Sequence, residues 1–247
     1  MFSSLRVRGG DADTDADADA AVDTSSSSSD VSRTMYNKQA SNWVRTEPRC
    51  LSDFTGRPVV FGMLAPHIVG ASVLDVGCGE GYCARKVVEM GAAKVIGSDI
   101  SAEMINSAIA TAAGDERFKF YTASSGDLLQ AMNNNREYLE IGTDSEEGGT
   151  VEESVDVAIA VFLFNYLTSD EMSDAMVQIY AALKPGGTFV FSVPHPSMIF
   201  CHDKDAIFRL NSEGCGYFSS RNEKILGQIS TTDGEKLNIM VSANIYI

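Results

Sequence analysis

Three glycines lie close together in residues 73–82, VLDVGCGEGY, directly behind a short apolar run. Gly77, Gly79 and Gly81 can take positive φ angles, and they lack the Cβ atoms that would keep a ligand away from the backbone. A strand, a glycine-rich turn and a helix in succession typically bind a ligand beyond the carboxyl end of the strand. One glycine would suffice for a tight turn, so the pattern predicts a ligand-binding turn.

Two acidic residues indicate which ligand this turn accepts. Asp75 precedes the glycines, and Asp99 ends the next predicted strand, 24 residues further on. A carboxylate beside the turn disfavours a pyrophosphate, and the spacing is GxGxG rather than the GxGxxG of nicotinamide sites. A carboxylate in the position of Asp99 can accept hydrogen bonds from ribose hydroxyls. The residues therefore favour an adenosine that carries a sulfonium, and they argue against a nicotinamide oxidoreductase.

Four sequence blocks resemble the class I S-adenosylmethionine-dependent methyltransferases, in their small-molecule (methyltransferase type 11, ubiquinone-biosynthesis-like) group. The blocks are VLDVGCGEG (73–81), VIGSDISAEMINSA (95–108), DVAIAVFLFNYL (156–167) and ALKPGGTFVFSVPHP (182–196). The resemblance covers residues 36–196. It implies a doubly wound, mostly parallel Rossmann-like α/β sheet and S-adenosyl-L-methionine as cofactor. It also implies methyl transfer by in-line displacement to an O, N or C nucleophile of a small-molecule acceptor.

The same resemblance implies a set of cofactor-binding residues. These are Asp75, Gly77, Cys78, Gly79, Asp99, Ile100, Met104, Ser124, Asp127 and Phe162. Asp99 would bind the ribose hydroxyls, and Ile100 would pack against the adenine. Many family members offer an acid to the adenine amine after the third strand. Direct alignment places Ser124 there, whereas the acid of GDL is Asp127, so both stay candidates.

Residues for the transfer step are fewer. His195, in SVPHPS, is the candidate general base because histidine titrates near neutral pH, and a turn histidine that only shapes the pocket rim is the alternative. Tyr36 and Trp43, in YNKQASNW, match the family's N-terminal lid. His195, Cys201 and His202 lack an established metal-ligand spacing and a fourth partner, so no metal is predicted.

Apolar strands alternate with amphipathic helices, which predicts a parallel sheet covered on both faces. The predicted strands are residues 73–76, 94–98, 118–123, 155–162 and 188–193, and the predicted helices are 59–69, 82–90, 102–113 and 169–183. Residues 131–154 are expected to form a polar surface loop after a helix remnant. The Asp-Gly of TTDGE, between alternating runs, predicts a hairpin within residues 223–247.

The boundaries follow from these elements. We expect a methyltransferase domain over residues 34–247, with lid helices in 34–70, the Rossmann-like core in 71–193, and an insertion with the hairpin in 194–247. The family's sheet normally ends with two further strands. Because the chain stops inside an apolar stretch, the expectation is a truncated chain whose sheet lacks those last two strands and exposes an edge.

Composition limits the remaining classes. Residues 11–30 hold seven aspartates and no basic residue, so residues 1–33 are predicted to be a disordered acidic tail. The net charge of −15 argues against nucleic-acid binding. The five cysteines form no CxxC pair, and no apolar run has membrane-spanning length, which favours reduced thiols and a cytoplasmic protein. A degenerate S-adenosylmethionine-binding protein without turnover is the alternative function.

Overall fold

The computed structural model describes residues 28–141, 150–195, 208–210 and 224–242. The helices are α1 Ser28–Trp43, α2 Leu51–Phe54, α3 Gly56–Leu64, α4 Tyr82–Glu89, α5 Ala102–Ala112, α6 Leu128–Asn134, α7 Arg136–Leu139 and α8 Ser169–Ala182. The strands are β1 Ser72–Val76, β2 Lys94–Asp99, β3 Phe118–Thr122, β4 Val155–Val161, β5 Leu183–Ser192, β6 Phe208–Leu210, β7 Lys224–Ser230 and β8 Lys236–Ser242. Short 3₁₀ turns follow β3 (Ser125–Asp127) and β4 (Phe164–Tyr166).

Strands β1 to β5 form one parallel sheet in the order β3-β2-β1-β4-β5. The chain runs outward from β1 to β3 and then returns to the other side of β1, so the connection reverses direction between β1 and β4. Ligands of doubly wound sheets bind at such a point, outside the carboxyl ends of the strands. The predicted Rossmann-like class is confirmed.

Side chains of successive strand residues enter two separate cores. On one face Val73 of β1 is fully buried with Val87 of α4, in the cluster that also holds α3 and α5 residues. On the other face Leu74 packs in a cluster with Met132 of α6 and Ile179 of α8. Because side chains of a strand alternate in direction, a continuous apolar run is what a sheet with two covered faces requires.

Strands β6 to β8 form a separate antiparallel sheet in which β7 and β8 pair from Lys224↔Ser242 to Ser230↔Lys236. The turn between them is TTDGE, which places the hairpin where the sequence predicted it. Within the described residues, no helix combines the length and apolar character that crossing a bilayer requires.

Several predicted boundaries were wrong. Helix α1 begins at Ser28, so residues 28–33 do not belong to a disordered tail. Ser32 is buried, and α1 packs against α5, so contacts with the rest of the fold order a polar segment that carries no apolar periodicity of its own. Helix α3 ends at Leu64 rather than at residue 69, and β5 begins at Leu183 rather than at 188.

Candidate functional site

A cavity of about 400 Å³ opens at the carboxyl ends of β1, β2 and β4, where the sheet order reverses. Helix α1 and the turns after β3 and β4 supply the rest of its wall. The wall includes Tyr36, Trp43, Arg45, Arg57, Asp75, Gly77, Cys78, Gly79, Glu80, Asp99, Ile100, Met104, Ser124, Asp127, Phe162 and Tyr166.

The glycine turn is held against the end of β2. The backbone N–H groups of Gly77 and Cys78 both donate to the carbonyl oxygen of Ser98, at 2.8 and 2.9 Å. Gly77 has a φ angle of 72° and Gly79 one of 55°, a backbone region that residues other than glycine rarely adopt. A Cβ atom on Gly79 would meet no atom within 4 Å, so the missing side chain leaves open space beside the cavity.

Asp99 fixes the tip of this turn. Its Oδ2 accepts a hydrogen bond from the backbone N–H of Gly79, and its Oδ1 accepts one from Ser101, both at 2.9 Å. Burial raises the pKa of the Asp99 carboxyl, and these backbone donors oppose that effect. The carboxylate is thereby oriented at the cavity wall with lone pairs still available.

Asp75 is the most deeply buried acid of the wall, with 1% of its surface exposed. Its Oδ2 has no hydrogen-bond partner among the described residues. Burial raises the pKa of Asp75 to about 7, Asp99 contributes further to that rise, and Arg57 opposes it. A buried oxygen without a donor, facing a cavity, indicates that a ligand supplies the donor.

Two arginines of the N-terminal segment complete this end of the cavity. Arg45 is held by Glu80 (Nη1 to Oε1, 2.9 Å) and by Asp53 (Nη2 to Oδ1, 3.2 Å), and it lies over the Tyr82 ring. Arg57 donates from Nη1 to Asp53 Oδ1 at 2.9 Å. The buried Nε of Arg57 has no hydrogen-bond partner among the described residues, and the Cys83 thiol lies beside the same guanidinium.

Aromatic rings form the opposite wall. Tyr36 packs against Trp43 and Tyr166, with ring centroids 6.1 and 5.6 Å apart. Phe162, directly after β4, has φ of 59°, although it is not a glycine. The guanidinium of Arg57 lies 5.3 Å from the centroid of the Phe162 ring. Strained backbone of this kind concentrates at functional sites, where the surrounding structure holds it in place.

Comparison with known proteins identifies the fold that carries this cavity. Residues 74–189 match the family model of a methyltransferase domain. This segment, just under half of the chain, is similar to a methyltransferase domain. Its five-stranded parallel sheet has the Rossmann-like fold of the class I S-adenosylmethionine-dependent methyltransferases.

Individual relatives are more distant. An uncharacterised protein of Haemophilus influenzae is 27% identical over 171 residues, which cover 69% of this chain and 59% of the relative. The chain thus spans about three fifths of the length of that curated relative. The PH0226 protein of Pyrococcus horikoshii has a similar fold, with a TM-score of 0.53, 16% identity, and coverage of 78% and 77% of the two chains. DhpI, solved with S-adenosylhomocysteine, has a TM-score of 0.50 and 17% identity, with coverage of 87% of this chain and 79% of DhpI.

The cavity wall contains every residue that the sequence predicted for cofactor binding, together with Tyr36 and Trp43. His195 is different: it is exposed, and it is not part of the cavity wall. Cys201 and His202 lie outside the described residues. Within the described part of the chain, no group of three or more His, Cys, Asp or Glu side chains is arranged to hold a metal ion.

Two predicted positions lie at the β3 end of the cavity. Ser124 begins the 3₁₀ turn, and its hydroxyl accepts a hydrogen bond from the Gly126 N–H at 3.3 Å. Asp127 is exposed at the end of that turn. Because both side chains line the cavity, the geometry keeps both as candidates for the adenine amine.

The cavity thiols are not nucleophiles. Burial raises the pKa of Cys83 to about 11 and that of Cys78 well above its ordinary value. Only the thiolate is a good nucleophile, so both cysteines are small buried packing groups.

The sequence reasoning missed the arginines and their partners Asp53 and Glu80. Glu80 lies in the glycine turn itself, where an acid that is 2% exposed needs a cation. In the sequence, the available signal was an acid, Glu80, inside the predicted ligand-binding turn. It could not say which of the nineteen Lys and Arg residues would answer it.

Proposed function

We propose that this chain binds S-adenosyl-L-methionine in the cavity and transfers its methyl group to a small-molecule acceptor. The observation that carries the proposal is the arrangement of Asp75, Gly79 and Asp99 around one cavity. Asp99 is oriented by two backbone donors, Gly79 leaves open space, and Asp75 presents an oxygen without a donor. The family match, and the similar fold of DhpI with its S-adenosylhomocysteine, support the same reading.

The groups of the cofactor have matching partners. Asp99 would accept hydrogen bonds from the ribose hydroxyls, and Ile100 and Met104 would pack against the adenine. The free oxygen of Asp75 would accept a bond from the ammonium of the methionine moiety. Arg57 would take the carboxylate, because its Nε is unused and charge-assisted hydrogen bonds are the stronger ones.

The acidic character of the wall also fits. Six acids line the cavity (Asp75, Glu80, Asp99, Glu171, Asp127 and Asp174), against two arginines among the described lining residues. An excess of carboxylates favours a ligand that carries a sulfonium and an ammonium over one that carries phosphates.

S-adenosylmethionine supplies an activated methyl group, so the protein mainly has to hold the acceptor in line with it. Such positioning can contribute on the order of 7–11 kcal/mol. The rings of Tyr36, Trp43 and Tyr166 form the wall that would orient an acceptor. No histidine or lysine lines the described cavity, so a proton released by the acceptor would pass to a carboxylate of the wall or to water.

A small molecule is the proposed acceptor for two reasons. Helix α1 covers the cavity, with Ser29, Ser32 and Tyr36 in its wall, which restricts what can enter. The net charge of −15 disfavours a nucleic acid. A binding protein without turnover is the second candidate, and the absence of histidine and lysine from the described wall favours it.

Titration calorimetry with S-adenosylmethionine and S-adenosylhomocysteine tests the first step. We expect wild-type protein to bind both, and Asp99→Ala to lose most of that affinity. Asp115→Ala is the matched control, since Asp115 lies in the turn before β3 and is not part of the cavity wall. A folded wild-type protein that binds neither ligand would overturn the proposal.

Turnover then separates the two candidates. Formation of S-adenosylhomocysteine is measured against a panel of phenols, amines and small acids, in the presence and absence of each acceptor. Acceptor-dependent formation supports the enzyme. Tight binding without turnover on any acceptor favours the binding protein.

A further inference from the structure

The β7–β8 hairpin lies outside the cavity wall, yet it holds the segment from which the cavity arginines come. The guanidinium of Arg49 binds Asp233 with two nitrogens (Nε to Oδ1, 3.0 Å; Nη2 to Oδ2, 2.8 Å) and Glu235 with one (Nη2 to Oε2, 2.6 Å). The Thr232 N–H donates to the Arg49 carbonyl at 2.9 Å. The hairpin turn therefore binds Arg49 through both its side chain and its backbone.

Arg49 in turn fixes a buried acid. The backbone N–H groups of Arg49 and Cys50 both donate to Oδ2 of Asp53, each at 2.8 Å. Cys50 also forms an isolated antiparallel bridge with Thr231 of the hairpin turn. The Asp53 side chain has no exposed surface, so these two N–H groups and the neighbouring arginines set its position.

Asp53 then positions the cavity cation. Its Oδ1 accepts a hydrogen bond from Arg57 Nη1 at 2.9 Å. The position of the Arg57 guanidinium therefore depends on the position of the Asp53 carboxylate. Arg57 reaches the cavity with its Nε unpartnered. The contacts thus run without a gap from the hairpin turn through Arg49 and Asp53 to Arg57.

We infer that the β7–β8 hairpin sets the position of Arg57 for the ligand's carboxylate, with Arg49 and Asp53 as positioning residues. The inference rests on the proposed function, in which Arg57 faces the methionine carboxylate. It assigns the hairpin to the cofactor site, although none of the hairpin's described residues lines the cavity.

The test removes the charges of the two acids that bind Arg49, because substitutions of exposed residues carry the least risk to folding. Asp233 and Glu235 are exposed, with 57% and 56% of their side-chain surface accessible. The variant is the double substitution Asp233→Asn with Glu235→Gln. Its matched control is Asp115→Asn, which breaks another exposed two-nitrogen pair, between Arg117 and Asp115, away from the cavity.

Two ligands distinguish positioning of Arg57 from general support of the fold. S-adenosylhomocysteine carries the amino-acid group, and 5′-methylthioadenosine lacks it. We expect the double variant to bind S-adenosylhomocysteine about two- to fivefold more weakly, the range that exposed ion pairs allow. Its affinity for 5′-methylthioadenosine should be unchanged, and the control should match wild type for both ligands.

Other outcomes overturn the inference. An equal loss for both ligands means that the hairpin supports the whole cavity rather than Arg57, and no loss means that it supports neither. Combining the double substitution with Arg57→Met gives a further check, since no additional loss is expected once Arg57 is gone. If Arg57→Met fails to fold, the comparison of the two ligands decides alone. Wild-type protein that binds neither ligand would refute the proposed function itself, which is a different result.

Discussion

Asp99 Oδ2 and the backbone N–H of Gly79 are joined by a hydrogen bond of 2.9 Å. This bond ties the end of β2 to the glycine turn that follows β1. The two parts of the chain that would border the ribose therefore hold each other in place before any ligand arrives. Preorganisation of this kind lowers the ordering cost of binding.

Asp99→Asn should weaken ligand binding while preserving this tie. An asparagine carbonyl can still accept from Gly79, but the charge is lost and one acceptor becomes a donor. Hydrogen bonds to a charged group contribute about 1.5–3 kcal/mol, so the affinity for S-adenosylhomocysteine is expected to fall roughly 10- to 100-fold. Calorimetry measures the change, with Asp115→Asn as the control. Unchanged affinity in Asp99→Asn would contradict the assigned ribose contact.

Asp75→Asn should change how the stability of the ligand-free protein depends on pH. Burial raises the folded-state pKa of Asp75 to about 7, whereas an unfolded aspartate titrates near about 3.9. The folded state then binds the proton more tightly, so this group's favourable contribution is full below about pH 4 and is lost as the pH rises through about 7. An asparagine stays neutral. We expect the variant to gain stability relative to wild type at pH 8, by at most about 4 kcal/mol.

Urea unfolding at pH 5 and pH 8 measures that difference. The gain of Asp75→Asn over wild type should be larger at pH 8. If the two proteins show the same pH dependence, Asp75 does not titrate in this range, and its buried oxygen would need another explanation.

The sequence predicted the parts of this site that depend on local pattern. Three glycines behind an apolar run predicted the turn, and an acid at the end of the next strand predicted Asp99. Because parallel strands bring their carboxyl ends to one edge, residues 24 positions apart could be placed together from the pattern alone.

Other features depend on contacts that no local pattern encodes. Arg57 of α3 reaches the cavity wall, and Asp53 of α2 binds it from behind that wall. Arg49 meets Asp233 across 184 residues of chain. The early start of β5 is also a tertiary effect: KPGG carries the signature of a turn. The structure nevertheless extends the strand through it by pairing Leu183 with Val155, with a register irregularity between Val155 and Val157.

Gly79→Ala should affect binding more than stability. Gly79 and Gly114 both have positive φ angles (55° and 82°), and a Cβ on either would meet no atom within 4 Å. Each alanine should therefore cost about 1–2 kcal/mol of unfolding free energy for its backbone conformation. Only the Gly79 methyl group would occupy space beside the cavity. We expect calorimetry to show weaker S-adenosylhomocysteine binding for Gly79→Ala alone, and equal losses of affinity would contradict the close approach of a ligand to this turn.

Asp53→Asn should destabilise the protein in a pH-dependent way. Burial by itself would raise the pKa of Asp53, but Arg45, Arg57 and two backbone donors outweigh it, so the pKa lies below its ordinary value. The stabilisation is then present above about pH 4 and is lost as the pH falls through the lowered pKa. At pH 7 the variant leaves two arginines without their shared counter-charge, which costs about 3–5 kcal/mol. Denaturant unfolding at pH 7 and pH 3 should show a difference from wild type that shrinks in acid, while Asp115→Asn stays close to wild type at pH 7. A difference that is the same at both pH values would mean that the lost contribution is packing rather than charge.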